Sequence, residues 1–384
     1  MSHDTHAAEE LAFWTWAAPV AAWVLLAAIF AGLISTASAT VLVVASILLG
    51  AAVFASVHHA EIVALRVGEP FGSIILAIAV TVIEVALIVS IMMSAKAGAE
   101  VLARDTVFAT IMMVLNAIVG FCLVLGGARH HEQSFQTNAA AATLSVLGTL
   151  AVITLVLPNY TIAAPGPVYA PSQLMFVSVV SAILYGVFLF VQTIRHRDYF
   201  LAVADEPAIS DGHSAEVNGA EGHSAEGHGA QPSARTALVS LALLGLALAA
   251  VVLLAKILSP VLETAIAAAG LPKAFLGVVI AAVVLLPEGL AAVRAARANR
   301  LQTSLNLALG SAMATIGLTI PMVSAASLVL GQGLTLGLGP AETVLLLLTL
   351  FISTVTLATG RTTILQGAVH LVIFAVFLFL AAVP

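Results

Sequence analysis

A chain of 384 residues that contains eleven apolar runs of about twenty residues each has few folds open to it. The runs lie near 17 to 35, 40 to 57, 72 to 94, 106 to 127, 139 to 157, 172 to 194, 236 to 256, 274 to 298, 303 to 329, 340 to 358 and 362 to 383. A bilayer core of about 30 Å is crossed by a helix of roughly 20 apolar residues. The runs are rich in Ala, Leu and Val and do not alternate at period two, which points to helices rather than a barrel. Hydrophobic residues make up 61% of the chain and charged ones 8%, far from the roughly 25% charge of a soluble globular domain. The expected fold class is an all-α polytopic membrane protein with about 11 transmembrane helices, embedded in a lipid bilayer.

The formal net charge of -6 carries no basic footprint for a nucleic acid. Cys122 is the single cysteine, so no disulfide or thiolate cluster forms within one chain. Residues 1 to 16 hold Asp4, Glu9 and Glu10 but no Lys or Arg, and the apolar run that follows is too long for a signal h-region. Residues 1–16 are read as a cytoplasmic arm and 17–35 as a retained extra span.

The basic residues set the orientation. One side of the alternating spans holds Arg66, Arg129, Arg195, Arg197, Arg235, Arg294, Arg297, Arg300 and Arg361, and the other Lys96, Arg104, Lys256 and Lys273. Nine against four favours a cytoplasmic N-terminus and an outside C-terminus. Residues 195–235, rich in Gly, Ala, Ser, His and acid, read as a cytoplasmic linker, with Gly-His-Ser-Ala-Glu at 212 to 216 and again at 222 to 226. Its His213, His223 and His228 suit metal binding or pH sensing, although a slipped low-complexity repeat explains them as well.

Without the first span, the linker divides the remaining runs into five (36–194) and five (236–384). A repeat with an odd number of spans enters the membrane in opposite senses in its two copies, the inverted arrangement of many transporters. Each half carries one glutamate in mid-run, Glu84 and Glu288, far from other charges. A carboxylate at that depth costs roughly 2.5 to 3.5 kcal/mol on insertion scales and marks function. Val80 to Glu84 aligns with Val284 to Glu288, and Ala109-Thr110 with Gly310-Ser311 at an offset of 201.

The chemistry expected of such a pair is cation binding in competition with protons. Pro287, beside Glu288, is expected to unwind its helix and free carbonyl oxygens. Glu84, Glu288, Ser311, Thr110 and the carbonyls around Pro287 and Gly310 then offer the oxygens a hard cation takes. An empty, unprotonated pair is too costly to carry through an occluded state, which couples cation movement to protons. The polar residues Thr81, Asn116, Asn306, Gln366 and His370 are secondary candidates, more in keeping with interhelical hydrogen bonds. Asp105 reads as an N-cap, and Trp14, Trp16 and Trp23 as an interfacial anchor.

Leu286-Pro287-Glu288-Gly289, Ala298-Asn299-Arg300 and Ser304 through Ala312 resemble the second repeat of calcium/proton antiporters in the cation/calcium exchanger superfamily. The stretch from Glu84 to Gly126-Gly127 resembles their first repeat. The run from Gly360 through Gln366 to His370 is similar to the bacterial calcium, sodium or potassium/proton branch. The resemblance implies two inverted five-helix repeats after an extra span, and the repeat glutamates as cation and proton ligands. It implies Ca2+ as transported ion, Na+ or K+ as alternatives, H+ as counter-ion, no cofactor and no enzymatic step. The family's Gly-Asn ahead of each glutamate is here Val80-Thr81 and Val284-Leu285, and its glutamine after Gly-Ser is Ala314.

Three other readings remain open at this level. One is an intramembrane hydrolase with Ser311 as nucleophile and His370 as base, although no Gly-x-Ser-x-Gly elbow surrounds Ser311. Another is a sensor acting through the His-rich linker, and a third is a channel. Deleting 205–233 would silence a sensor and leave an exchanger running.

Overall fold

The computed structural model describes residues 12–36, 38–68, 71–93, 99–200 and 232–384. The arm up to residue 11 and most of the His-rich linker, with His213, His223 and His228, lie outside the described residues. Among the described residues eleven helices are long and apolar enough to cross a membrane. They are α1 (Phe13–Phe30), α2 (Ala39–Val67), α3 (Ile74–Met92), α4 (Leu102–His130), α5 (Thr137–Tyr160), α6 (Pro171–Arg195), α7 (Ala234–Ala268), α8 (Phe275–Arg297), α9 (Leu301–Leu330), α10 (Pro340–Leu357) and α11 (Ile364–Ala382).

Three boundaries differ from the hydropathy reading. α1 begins at Phe13 rather than 17, which takes Trp14 and Trp16 into the helix. α2 continues ten residues beyond 57, through His58, His59, Glu61 and Arg66, and α7 continues past Lys256 and Pro260 to Ala268. Polar residues end a hydropathy run but not a helix, whose backbone hydrogen bonds close locally whatever the side chains.

The helix ends follow local chemistry. Ser233 Oγ accepts from the Thr236 amide at 3.0 Å and starts α7. Gly331, at φ +64°, lets α9 end in a left-handed turn. Asp105 is not a cap: α4 begins three residues before it, and its carboxylate pairs with Arg104 at 2.8 Å.

α2 and α7 pack side by side, and α1 lies against both. His59 Nε2 meets the Thr15 carbonyl at 3.1 Å and Trp23 Nε1 donates to the Leu246 carbonyl at 2.9 Å, which ties α1 to this pair. The main apolar core is built by α3, α4, α5, α6, α8, α9, α10 and α11, while α2, α3, α7 and α8 form most of a second cluster. Both glutamate-bearing helices, α3 and α8, belong to both. At one face of the bundle the α4–α5 and α10–α11 loops pair through a two-residue antiparallel ladder, Gln133 with Thr362 and Ser134 with Arg361. At the other face Thr335 donates to the Glu100 carbonyl and Gly337 to that of Pro167.

Among the described residues four helices widen to π geometry, α4 over Met113–Ile118, α5 over Val152–Val156, α6 over Val191–Arg195 and α9 over Thr315–Thr319, and those of α4 and α9 fall at corresponding places in the two halves. Such turns are rare and gather at functional sites.

Candidate functional site

Glu84 is 1% exposed on α3. Its Oε2 accepts hydrogen bonds from Thr315 Oγ1 at 2.9 Å and Thr319 Oγ1 at 2.8 Å, both from the π-helical turn of α9. Its Oε1 is buried with no partner, as is Thr81 Oγ1 one turn earlier on the same helix. Glu288 projects from α8 with both carboxylate oxygens buried and unpaired. Its charge lies within Coulombic reach of Glu84 and of Glu61 on α2. Ser311 Oγ is buried without a partner one turn before Thr315. A Cβ on neighbouring Gly310 would meet nothing within 4 Å, so space adjoins this turn.

Pro287 behaves differently from the expectation. It is buried inside α8, and the helix runs unbroken from Phe275 to Arg297. The ring removes one amide donor, which leaves the Val283 carbonyl without its helical partner, but the turn does not unwind. Thr110 is 2% exposed on α4.

The secondary candidates separate from the glutamates. Asn116, His370, Thr349 and Thr356 form a second buried polar cluster among α4, α10 and α11. Asn116 Nδ2 donates to Thr349 Oγ1 at 3.0 Å, so its Oδ1 accepts from His370 Nδ1 at 3.2 Å. His370 Nε2 is then left to accept from Thr356 Oγ1 at 3.1 Å. Every member is satisfied, which marks an interhelical clasp rather than an ion site. Asn116→Leu should lower the thermal midpoint in detergent, by about 1 kcal/mol of stability, since it strands His370 and Thr349. An unchanged melt would show that the clasp is idle.

Asn306 holds the end of the first half, donating to the Phe200 carbonyl at 2.6 Å while it accepts from Gln302. Gln366 caps α11 by accepting from the Thr363 amide at 2.8 Å. Neither joins the glutamates. Ser311 and His370 do not pair either, because both ring nitrogens of His370 are occupied and Ser311 Oγ has no partner.

The residues that sequence reasoning missed are Thr315, Thr319 and Glu61. Thr315 and Thr319 carry a usable signal, two hydroxyls at i and i+4 in the span that follows Glu288. Glu61 was hidden because the hydropathy run stops at His58. Among the described residues no group of three His, Cys, Asp or Glu side chains converges as a metal cluster. The candidate site gathers the carboxylates of Glu84 and Glu288 with neighbouring hydroxyls, and Glu61 approaches it from α2. Carboxylates and hydroxyls are hard oxygen donors, the ligand class of alkali and alkaline-earth cations.

Comparisons with known proteins place the chain in a family. The family model described as sodium/calcium exchanger protein matches residues 37–194 and 239–383. A putative ionic transporter, y4hA, of Sinorhizobium fredii is 54% identical over 371 residues, covering 97% of this chain and 96% of that protein. The sodium-potassium/proton antiporter ChaA of Escherichia coli is 35% identical over 326 residues, covering 85% of this chain and 84% of its own. The solved structure of native YfkE superposes with a TM-score of 0.70 at 15% identity, covering 96% of this chain and 100% of that one. With both halves matched and relatives aligned almost end to end, the chain belongs to the sodium/calcium exchanger family of secondary antiporters.

Proposed function

We propose that this protein exchanges a cation for protons across the membrane, with Glu84 and Glu288 binding cation or protons in turn. The observation that carries the reading is Glu288: a buried carboxylate with no partner on either oxygen, within Coulombic reach of a hydroxyl-held Glu84. A bare buried charge is costly, and a proton or a cation removes the cost equally well. The empty pair therefore resists passage through an occluded state, and cation and proton flows become coupled. Residues 36–194 and 236–384 act as the two inverted halves around the site, alternating its access. The N-terminus and the 195–235 linker face the cytoplasm and the C-terminus faces outward, in a bacterial inner membrane.

Calcium is the first candidate, because Glu84, Glu288, Ser311, Thr81 and Thr110 supply oxygens toward the six to eight that it takes. The sodium-potassium/proton name of the Escherichia coli relative favours a second reading, Na+ or K+, which needs fewer charged ligands. Proteoliposomes loaded at low internal pH and offered Ca2+, Na+ or K+ in turn test both. Uphill uptake of at least one ion, abolished by a protonophore, is expected. Uptake that ignores the pH gradient for all three would reject the proposal, and downhill flux alone would favour a channel.

A further inference from the structure

The near symmetry of the halves exposes a difference between the two glutamates. The register that aligns Ala109-Thr110 with Gly310-Ser311 sets Val114 and Ile118 in the places of Thr315 and Thr319. Ile118 lies against the residue after Glu288, since a Cβ on Gly289 would sit 3.3 Å from its Cδ1. The first half thus presents alkyl groups where the second presents hydroxyls. Accordingly Glu84 Oε2 accepts two hydrogen bonds and Glu288 accepts none from another residue.

We propose that Thr315 and Thr319 are specificity-determining residues: by clamping Glu84 they make it the fixed cation ligand, and they leave Glu288 as the group that trades cation for proton. This rests on the exchange reading above. Each threonine spends its hydrogen on Glu84 and keeps oxygen lone pairs for a cation. The unpaired oxygens flanking the clamp, Glu84 Oε1, Thr81 Oγ1 and Ser311 Oγ, extend the same hard oxygen donor set. Selection among hard cations follows cavity size, ligand number and ligand freedom, and a carboxylate whose Oε2 is held by two donors has less freedom to close around a smaller ion. Glu288, with no donors to satisfy it, needs a proton whenever the cation leaves.

The test compares Thr315→Val/Thr319→Val with Thr315→Ser/Thr319→Ser in proteoliposomes, measuring initial rates for Na+, K+ and Ca2+. The valine pair keeps shape and loses hydroxyls. Its KM for the best-transported ion should rise about tenfold while kcat falls less, and its kcat/KM ratio between Ca2+ and Na+ should shift about fivefold or more. The serine pair should restore that ratio to within about twofold. Parental selectivity in the valine pair overturns the proposal, as does equal loss in valine and serine pairs, which would assign the threonines to packing. Glu84→Gln in the same vesicles separates the two claims. If it still exchanges ions, the exchange reading itself fails; if it is silent while the valine pair keeps parental selectivity, only the clamp fails. Should the valine pair not fold, the single variants are ordered by the cation-induced rise in thermal midpoint, smaller in valine than in serine if the clamp binds cation and equal in both if it does not.

Discussion

Reconstituted Glu288→Gln protein is expected to lose pH-driven cation uptake by about 100-fold or more, while it remains folded. Glutamine keeps the shape of the side chain but can neither balance a cation nor exchange a proton. Carrying a charge at membrane depth costs roughly 2.5 to 3.5 kcal/mol, and each 1.36 kcal/mol is about tenfold in rate, which sets the size of the effect. The stability readout runs the other way. Both oxygens of Glu288 are buried without partners, so removing the charge relieves a cost, and the thermal midpoint should hold or rise. Uptake within about threefold of the parent would remove Glu288 from the mechanism, since a lost charge ligand costs far more. A fall in both uptake and midpoint would assign it a structural role instead.

Gly367→Val should prevent the protein from being isolated as a monodisperse species. α11 crosses α4 at glycines on both helices. A Cβ on Gly367 would lie 2.7 Å from the Val124 amide nitrogen and 2.8 Å from the Gly120 carbonyl oxygen. One on Gly127 would lie 2.9 Å from the Ile364 nitrogen. The obstacles are backbone atoms, which cannot rotate aside, and close approach at small residues is what holds helices together where lipid supplies no hydrophobic drive. Overpacking by a single methyl costs about 1 to 3 kcal/mol, so Gly367→Ala should melt several degrees early. Valine adds two further methyl groups at the same point. Size-exclusion profiles and melts in detergent check both variants. A valine variant as stable as the parent would mean that α11 packs elsewhere.

Span count and the two glutamates were legible because both are matters of polarity against length. Eleven runs became eleven helices among the described residues, and Glu84 and Glu288 are buried within Coulombic reach of each other. Less legible was everything decided by backbone geometry. The hydroxyl clamp depends on a wide turn at Thr315–Thr319, and threonines in helices bond equally well to their own carbonyls, as Thr143 and Thr154 do here. Pro287 suggested an unwound turn, but α8 runs unbroken through it. Gln366 and Asn306 shared the polarity of site residues and proved to serve helix ends. Polarity identifies that a side chain needs a partner, and only the fold decides which partner it finds.

The wide turn in α9 also uncouples chain length from helix phase. In ordinary α geometry the loss of one residue rotates everything beyond it by about 100°, which would turn Ser324 and Ser327 from their buried positions. A π turn already holds one residue more than an α turn needs. Deleting one residue between Thr315 and Thr319 closes it to α geometry and keeps Ile320–Leu330 in phase, at the expense of the threonine spacing alone. Length variation among distant homologues is therefore expected to collect at this turn. There, a single-residue gap would record the loss or gain of the clamp rather than a rearranged helix.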